Sequence, residues 1–334
     1  MRMTIAFIAL GLDHRHIYGM TENMLGVGAR CLGYWTEGSP QPLPGYAKRF
    51  PDLRRFDSLD EALGAGADLA LISNIPADRA AVAIRAMETG HDVMTDKPGC
   101  TDLTQLAMIQ QTVAETGRIW SINFSERFEV PAVTLASTLV ADGAIGRVVH
   151  TCGLGPHRLN RATRPDWFFQ RGRYGGILTD IASHQIDQFL YFTGSDTAEI
   201  AMAHVANHAN SGDPGLQDFG EIALRSPHAS GYIRVDWYTP DALPNWGDGR
   251  LTLLGTEGYI ELRKYVDVGG REGTDHVVLV NGSRCENIDA RKAGLPYFDR
   301  LLDDIQHRTE TAMPQTHCFA VMELALKAQE MAEA

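Results

Sequence analysis

The 334-residue chain has few cysteines, a deficit of basic residues and no long apolar run. Its five cysteines are odd in number and lie without CxxC spacing, a pattern typical of free thiols in a reducing compartment. Only 30 lysines and arginines stand against 42 acidic residues, and the net charge of −12 disfavours a nucleic acid or an anionic membrane as partner. We therefore expect a cytoplasmic protein that binds a small, neutral or weakly charged molecule.

The sequence predicts neither a membrane span nor a signal peptide. No stretch approaches the roughly 20 apolar residues that a bilayer requires. The apolar run from Ile5 to Leu12 is cut short by Asp13-His14-Arg15-His16, and no small-residue cleavage site follows, so it predicts a first strand. With 44% hydrophobic and 22% charged residues, the chain has the composition of an ordinary globular protein, and its length allows two domains.

Residues 1–125 alternate apolar runs with helical patterns. The apolar runs predict strands at Thr4–Leu10, Arg30–Tyr34, Leu69–Ser73, Asp92–Thr95 and Ile119–Phe124. The helical patterns fall at His16–Leu25, Leu59–Leu63, Ala77–Thr89 and Asp102–Glu115. Strands without polar alternation, each followed by a helix, indicate a parallel sheet that is covered on both faces. The fold class of this half is therefore α/β, a doubly wound parallel sheet of the dinucleotide-binding type.

Residues 126–334 follow a different pattern. Apolar and polar residues alternate with period two at Val148–Cys152, Ile200–Val205, Glu221–Leu224, Gly231–Trp237, Leu251–Leu254 and Tyr259–Leu262. We predict an α+β domain with a large mixed, mainly antiparallel sheet, an inserted helix over Gly175–Tyr191 and a final helix over Phe319–Met331.

The turn after the first strand is a degenerate dinucleotide-binding motif. Ala9, Gly11 and His14 stand where Gly-x-Gly-x-x-Gly would let the backbone approach a pyrophosphate, so by motif alone the signal is weak. Glu37, just beyond the second strand, is the candidate acid for the adenine ribose. Thr36 and Ser39 offer hydroxyls to a 2′-phosphate, but no arginine is adjacent in sequence. NAD is slightly favoured over NADP.

Two segments supply groups that can move a proton. Asp96-Lys97-Pro98 follows a predicted strand, where open α/β sheets place their sites. Asp180 and His184 are four residues apart on a predicted helix, with Asp187 one turn further on. Such a pair is more often a surface or capping pair, but this helix also carries an apolar series in which unpaired charge is expensive. The carboxylate orients the imidazole, and the ammonium donates to a substrate oxygen.

These segments together resemble the glucose-fructose oxidoreductase/inositol 2-dehydrogenase (Gfo/Idh/MocA) family over nearly the whole chain. The matching motifs are the Gly11 turn, Ser73-Asn74-Ile75-Pro76, Asp96-Lys97-Pro98 where Glu-Lys-Pro is usual, Asn123 with Arg127-Phe128 and Pro131, the Gly176-x3-Asp180-x3-His184-x2-Asp187 helix, and Leu254-Gly255-Thr256-Glu257-Gly258. The resemblance implies a Rossmann domain at 1–125 and a substrate-binding domain at 126–334, whose open sheet face often forms homodimers or homotetramers. It also implies NAD(P)-linked redox chemistry on sugars, polyols or related small molecules.

The resemblance places Lys97, Asp180 and His184 on catalytic positions, with His184 as the acid/base. The cofactor residues that follow from the motifs are Ala9, Gly11, Leu12, His14, Thr36, Glu37, Ser73, Asn74, Ile75, Asp96, Lys97 and Asn123. Candidates for substrate contact are His157, Arg158 and Trp167, together with Asp180 and His184; Arg127, Tyr238 and Trp246 are weaker candidates. An exposed loop with solvated arginines and a core tryptophan is an equally good interpretation of the segment around 157–168.

Three other functions remain open from the sequence. A metal-dependent hydrolase or isomerase would use His14-x-His16, Asp180 with His184, or His204 with His208, although the last pair would sit about 13 Å apart on a strand. We expect no metal. A non-catalytic NAD(P)-bound sensor would keep the fold without the chemistry. A retained cofactor that cycles between redox states would support a lyase or an epimerase.

Overall fold

Residues 4–334 are described by the computed structural model, and they divide into two units. The first unit contains residues 4–123 together with Gly172–Gly175 and Tyr297–Met322. The second contains Phe124–Arg171, Gly176–Pro296 and Glu323–Ala334. One short stretch from the middle of the sequence and one from near its end therefore belong with the N-terminal unit.

The first unit is built from alternating strands and helices. In chain order they are β1 (Ala6–Leu10), α1 (His16–Gly26), β2 (Arg30–Trp35), α2 (Leu43–Arg49), α3 (Leu59–Leu63), β3 (Leu69–Ile72), α4 (Arg79–Glu88), β4 (Asp92–Asp96), α5 (Leu103–Thr116) and β5 (Trp120–Asn123). Every residue of β1, β3, β4 and β5 is buried, as expected for strands that helices cover on both faces. The ends of α5 follow the usual rules, because Asp102 Oδ1 accepts from Gln105 N at 2.8 Å and Gly117 ends the helix at φ 63°.

The five strands form a parallel sheet in the order β2-β1-β3-β4-β5. Beyond β2, Tyr34 makes a further parallel bridge to Arg55, with Tyr34 N donating to Arg54 O and Phe56 N donating to Tyr34 O, both at 2.9 Å. With that short edge segment counted as a strand, the order becomes the 3-2-1-4-5-6 of dinucleotide-binding domains. The strand order reverses direction between β1 and β3, so the expected ligand crevice lies at their carboxyl ends.

The second unit and the C-terminal helices complete the chain. In order these elements are α6 (Ser125–Phe128), α7 (Pro131–Ala141), β6 (Val148–Pro156), α8 (Arg171–Tyr174), α9 (Ser183–Thr193), β7 (Glu199–Ala206), β8 (Phe219–Arg225), β9 (Ser230–Asp236), β10 (Arg250–Gly255), β11 (Gly258–Arg263), β12 (His276–Asn281), β13 (Cys285–Asp289), α10 (Pro296–His307) and α11 (Gln315–Glu333). The eight strands form one sheet in the order β13-β12-β11-β10-β6-β9-β8-β7, in which only β6 and β9 run parallel.

Helices cover one face of this sheet. Val133 and Ala136 of α7 pack in a buried cluster with Leu251, Ile260 and Leu279 of the strands. Further along the same face, glycines in β6 and β9 leave room for α9, because a Cβ at Gly153 would lie 2.8 Å from Gln185 and one at Gly231 would lie 2.7 Å from Phe189. Large side chains such as Leu254 and Tyr259 remain 45% and 40% exposed.

The predicted fold class is confirmed: a doubly wound parallel sheet is followed by a large, mainly antiparallel one. The strands β12 and β13 and the helices α2, α6, α7, α8 and α10 had no counterpart in the sequence prediction. Among residues 4–334, no helix is long and apolar enough to cross a bilayer.

Candidate functional site

The turn after β1 touches the turn after β3. Gly11 has φ +72°, and a Cβ there would lie 2.3 Å from Cβ of Asn74. His14 N donates to Ser73 O at 3.0 Å, and Ser73 Oγ returns a bond to His14 O at 3.2 Å. Only glycine fits this close approach in a left-handed conformation. The sequence prediction of a glycine-dependent turn here is thus explained by the neighbouring strand.

The remaining predicted cofactor residues lie on or just beyond the strands of this sheet. Ala9 and Leu12 are fully buried, and Thr36 Oγ1 accepts from Leu12 N at 3.1 Å. Glu37 is exposed after β2, whereas Asn123 is buried as the last residue of β5. Ile75 is half-buried and follows Asn74.

An arginine does lie near the end of β2, although the sequence places none beside it. Arg55, carried by the edge segment that pairs with Tyr34, donates from Nη2 to Gly38 O at 3.1 Å. Its neighbour Arg54 instead pairs with Glu61 and lies over the ring of Phe56. A guanidinium thus sits beside the loop that carries Glu37 and Ser39.

Asp96 is the centre of a buried hydrogen-bonded cluster. His14 Nδ1 lies 2.8 Å from Asp96 Oδ2, and His16 Nδ1 lies 2.8 Å from Oδ1. Arg79 Nη2 donates to Oδ2 at 3.1 Å, and Ser73 Oγ donates to it at 3.3 Å. Burial alone would raise the pKa of Asp96, but the electrostatic contributions of His16, Arg79 and His14, together with the hydrogen bond to His14, hold it well below its usual value. The carboxylate is ionised and engaged at both oxygens.

Burial has the opposite consequence for His14. It lowers the pKa of this imidazole to about 3, although Asp96 acts in the other direction. His14 is therefore neutral at pH 7. The side chain that replaces the third glycine of the motif joins the turn after β1 to the end of β4.

The ligand atoms of His14, His16 and Asp96 lie within 4.8 Å of one another, a spacing that a divalent cation can use. Arg79 already supplies a positive charge to this carboxylate, and both imidazoles lie at hydrogen-bond distance from it. Within residues 4–334, neither Asp180 with His184 nor His204 with His208 joins a group of three such ligands.

Lys97 is held in a buried turn. The residue is only 3% exposed and follows β4 directly. Its main-chain carbonyl accepts a hydrogen bond from Arg79, a residue that the sequence analysis did not single out. The structure therefore fixes the backbone from which the lysine side chain extends.

In the second unit, Asp180 and His184 lie on a continuous but irregular helix. Leu178–Ala182 forms a π-helical turn, and α9 begins at Ser183. Asp180 and His184 are 7% and 1% exposed. Leu178 N donates to Gln329 Oε1 at 3.0 Å, and the same side chain fills the space beside Gly176, where a Cβ would lie 2.2 Å from it. Wide turns of this kind are frequent at functional sites because they re-aim side chains.

A buried ion pair lies next to His184. Lys264 Nζ donates to Glu126 Oε2 at 2.6 Å and to Gln188 Oε1 at 3.0 Å. Gln185 Nε2 also donates to Glu126 Oε2, at 2.9 Å, and Gln188 Nε2 donates to the carbonyl of His184 at 3.0 Å. Burial would raise the pKa of Glu126, but Lys264, with a smaller contribution from His184, lowers it to about 2. The network holds α9 through residues on either side of the histidine.

Asp187, predicted to continue the polar stripe, is fully buried in an ion pair. Arg127 donates to it twice, from Nε at 2.7 Å and from Nη2 at 2.6 Å. The guanidinium also lies 4.5 Å from the ring centroid of Tyr191. Arg127 and Glu126 are adjacent on α6, and they bind different residues of α9. Arg127 binds Asp187, and Glu126 accepts from Gln185.

The other predicted substrate residues lie around a loop that follows β6. Arg158 Nη2 donates to the carbonyls of Pro240 and Leu243, at 2.9 and 2.6 Å. The ring of His157 packs against Trp246 at 4.6 Å. Trp167 is half-buried, with its ring centroid 6.1 Å from that of Phe168.

A cavity of about 450 Å³ in this unit is lined by Pro156, Phe219, Arg234, Asp236, Tyr238, Thr239, Pro240, Leu243 and Asp248. Arg158 is not one of these lining residues, but it donates to the carbonyls of two of them, Pro240 and Leu243.

Two buried cationic residues, Arg79 and Lys264, were not identified from the sequence, although the sequence pattern around each indicated a buried position. Arg79 is in register with Ala83, Ala86 and Met87, the buried stripe of α4, at i, i+4, i+7 and i+8. Lys264 continues the period-two series of inward residues Ile260 and Leu262. A charge on a buried face requires a partner, so both positions pointed to an ion pair.

Known proteins provide an independent comparison. The model of the GFO/IDH/MocA C-terminal domain matches residues 133–261. A crystal structure of a protein from Erwinia carotovora atroseptica SCRI1043, provisionally described as an oxidoreductase, is 44% identical, covers 98% of this chain and 99% of its own, and superposes with a TM-score of 0.95.

Two further relatives carry an activity in their names. Scyllo-inositol 2-dehydrogenase (NAD(+)) of Bacillus subtilis (strain 168) is 24% identical over 264 residues, which are 76% of this chain and 72% of that protein. Levoglucosan dehydrogenase in complex with NADH and levoglucosan shares the fold at 18% identity, with a TM-score of 0.79 over 99% of this chain and 98% of its own. Together with the two-sheet architecture, these similarities show that the chain belongs to the Gfo/Idh/MocA family of oxidoreductases.

Proposed function

We propose that this protein is an NAD(P)-dependent dehydrogenase or reductase, acting between a secondary alcohol and a carbonyl group of a sugar, a polyol or a related small molecule. The observation that carries the proposal is the arrangement at the carboxyl ends of β1, β3 and β4. There the Gly11 turn touches Asn74, and the turn of Lys97 is joined to it through Asp96. Relatives named as dehydrogenases of inositol and levoglucosan support the substrate class.

The residues of the first unit fit a dinucleotide. Gly11 keeps the turn after β1 free of a side chain, and Glu37 is exposed after β2, where an acid binds the adenine ribose. Asn74 is only 9% exposed, and its Oδ1 has no hydrogen-bond partner within residues 4–334, so an acceptor is available beside the turn. The bound nicotinamide supplies the acceptor or donor of hydride. Glu37 favours NAD slightly over NADP.

The protein's own groups handle the proton. In the direction of oxidation, His184 takes the hydroxyl proton as general base, and Asp180 orients the imidazole and binds substrate. Lys97 donates a hydrogen bond to the same oxygen and stabilises the negative charge that develops there. General-base assistance is typically worth about 10²–10⁴-fold in rate.

Arg127, His157, Arg158 and Trp167 remain candidates for substrate contact. Arg127 is engaged with Asp187 and Arg158 with the 240–243 loop, so variants of either arginine also alter packing. Their kinetics therefore have to be compared at matched folded fractions.

The first test is calorimetric titration with NAD⁺, NADH, NADP⁺ and NADPH, followed by an absorbance screen at 340 nm over polyols, aldoses and sugar acids. Selective binding with turnover is the expected result. Binding without turnover on any of these compounds favours the sensor or a cofactor that is never released. Folded, cofactor-free protein that binds none of the four nucleotides would contradict the proposal.

The catalytic assignment is tested with His184→Ala against His150→Ala. His150 is a histidine of the same unit whose Nδ1 lies 2.8 Å from Ser230 Oγ. We expect kcat to fall by about 10²-fold or more for His184→Ala and to stay unchanged for the control. A His184→Ala protein that keeps more than half of the wild-type kcat removes the assignment.

We also infer that the protein assembles as a homodimer or homotetramer through the open face of the larger sheet. Leu254 and Tyr259, on that sheet, are 45% and 40% exposed. Light scattering coupled to size exclusion measures the mass directly, and Leu254→Glu should shift it towards the monomer. A wild-type monomer at micromolar concentration would contradict this inference.

A further inference from the structure

The guanidinium of Arg79 is the most heavily engaged charged group of the first unit. Arg79 is the first residue of α4 and is fully buried. Nε donates to Asn74 O at 2.8 Å, and Nη2 donates to Asp96 Oδ2 at 3.1 Å. Nη1 faces three successive carbonyls, those of Asp96 at 3.0 Å, of Lys97, and of Pro98 at 2.9 Å.

This arrangement clamps the turn that carries Lys97. Three consecutive carbonyls share the two hydrogens of one nitrogen, so a rotation of this main chain would weaken hydrogen bonds that are buried from water. The planar fork of arginine satisfies carbonyls and carboxylate together, which the single ammonium of a lysine cannot do. The main chain on both sides of Lys97 Cα is thus held by one side chain.

Asp96 adds a second set of contacts to this clamp, by which we mean Arg79 and the carbonyls of residues 96–98 that it binds. Its carboxylate lies against His14 and His16 as well as Arg79, so the turn after β1 and the turn after β4 share one anchoring point. Arg79 also reaches the turn after β3 through Asn74. Three of the turns at this edge of the sheet are therefore tied together through Arg79 and Asp96.

We propose that Arg79 is a positioning residue that sets the location of the Lys97 ammonium for catalysis. The inference rests on the role given to Lys97 in the proposed function. A lysine side chain has four flexible carbons, so the ammonium can reach one oxygen reproducibly only if its Cα is fixed. Displacements of about 1 Å at a reacting centre can cost about 10²-fold in rate.

The test is a double-mutant cycle between Arg79→Lys and Lys97→Met, measured as kcat on the substrate found in the screen. We expect Arg79→Lys to lower kcat by about 10- to 100-fold, while KM changes by less than about threefold because the cofactor and substrate contacts remain. In the Lys97→Met background the same substitution should lower kcat no further, because a residue that acts through Lys97 has nothing left to position.

A matched control lies at the opposite end of the same strand. Arg308 Nη1 donates to Asp92 Oδ2 at 2.7 Å, where β4 begins, whereas Arg79 binds where β4 ends. Arg308→Lys should leave kcat unchanged. Thermal unfolding and calorimetric NAD(H) binding show for each variant that the unit is folded.

The outcomes separate the two proposals. If Lys97→Met leaves kcat intact, the proposed role of Lys97 fails and the inference fails with it. If Lys97→Met is severe but Arg79→Lys is silent, or lowers kcat equally in both backgrounds, only the role of Arg79 is overturned. If Arg79→Lys does not fold, Asp96→Asn replaces it in the cycle, because it weakens the contact with Arg79 and changes the shape of the side chain little. The same outcomes then support or overturn the inference.

Discussion

Lys264 Nζ lies 2.6 Å from Glu126 Oε2, and neither side chain is more than 2% exposed. Burial of two charges is costly, but breaking such a pair costs more than forming it gains, because the remaining charge is left without a partner. The pair also binds Gln185 and Gln188, on either side of His184 in sequence.

Lys264→Met should destabilise the protein by about 3–5 kcal/mol, because the Glu126 carboxylate stays buried without its cation. The free energy of unfolding from chemical denaturation measures the loss. Lys327→Met removes an exposed lysine whose partner is Glu323 and should cost less than about 1 kcal/mol. Adding Glu126→Gln to Lys264→Met should recover much of the loss; a double variant as unstable as the single one argues against the charge explanation.

Glu126 should also make stability depend on acid pH. Its pKa is lowered from 4.5 in the unfolded chain to about 2, so between these values the unfolded state binds more protons. The contribution is fully present above about pH 4.5 and is lost as the pH falls to about 2, a change of about 3 kcal/mol. Urea titrations from pH 6 to pH 2 should give a shallower decline for Glu126→Gln than for wild type. Parallel curves would refute the assignment.

Asp13 should make cofactor binding depend on pH. Burial raises the pKa of this carboxyl to about 6, with Asp78 adding to the effect, so the group is neutral below that pH and negative above it. Asp13 lies in the turn proposed to hold the pyrophosphate, and like charges repel there. NAD(H) affinity should fall by about three- to tenfold between pH 5 and pH 7.5, and Asp13→Asn should flatten that profile.

Asp52, exposed in the same unit, provides the comparison for Asp13. Calorimetric titration of Asp52→Asn should reproduce the wild-type profile. A wild-type affinity that is constant across this pH range would exclude a role for the Asp13 charge.

Arg55 should decide how well NADP is tolerated. Its guanidinium lies beside Gly38, in the loop where an arginine accommodates a 2′-phosphate. Arg55→Ala should weaken NADPH binding by about tenfold, as expected for the loss of a charged hydrogen bond, and leave NADH binding unchanged.

The control for Arg55 is the adjacent Arg54, which is engaged with Glu61 and Phe56. Arg54→Ala should leave the ratio of the NADPH and NADH dissociation constants unchanged. An equal effect of both substitutions on both nucleotides would point to a general change in the edge segment.

Patterns of short range were enough to predict much of the fold. Unbroken apolar strands are buried on both faces wherever they occur, so β1 and β3 could be recognised as parallel strands without knowledge of their neighbours. Of the two strands that the prediction missed, β12 carries an apolar run that it overlooked, whereas β13 carries none. β13 is an edge strand whose residues are almost all exposed, so its sequence carries little apolar signal.

By itself the sequence determined the fold class, the glycine-dependent turn at Gly11 and the spacing of Asp180 and His184, because local periodicity and backbone freedom are properties of neighbouring residues. Tertiary structure alone decided the partners: Arg79 with the turn of Lys97, Lys264 with Glu126 across 138 positions, and Arg55 beside Gly38. A charged residue within the buried series of a helix or strand indicates that a partner of opposite charge, or a hydrogen-bond partner, must exist. The identity of that partner depends on how segments far apart in sequence pack together, and a local sequence pattern contains no information about that packing.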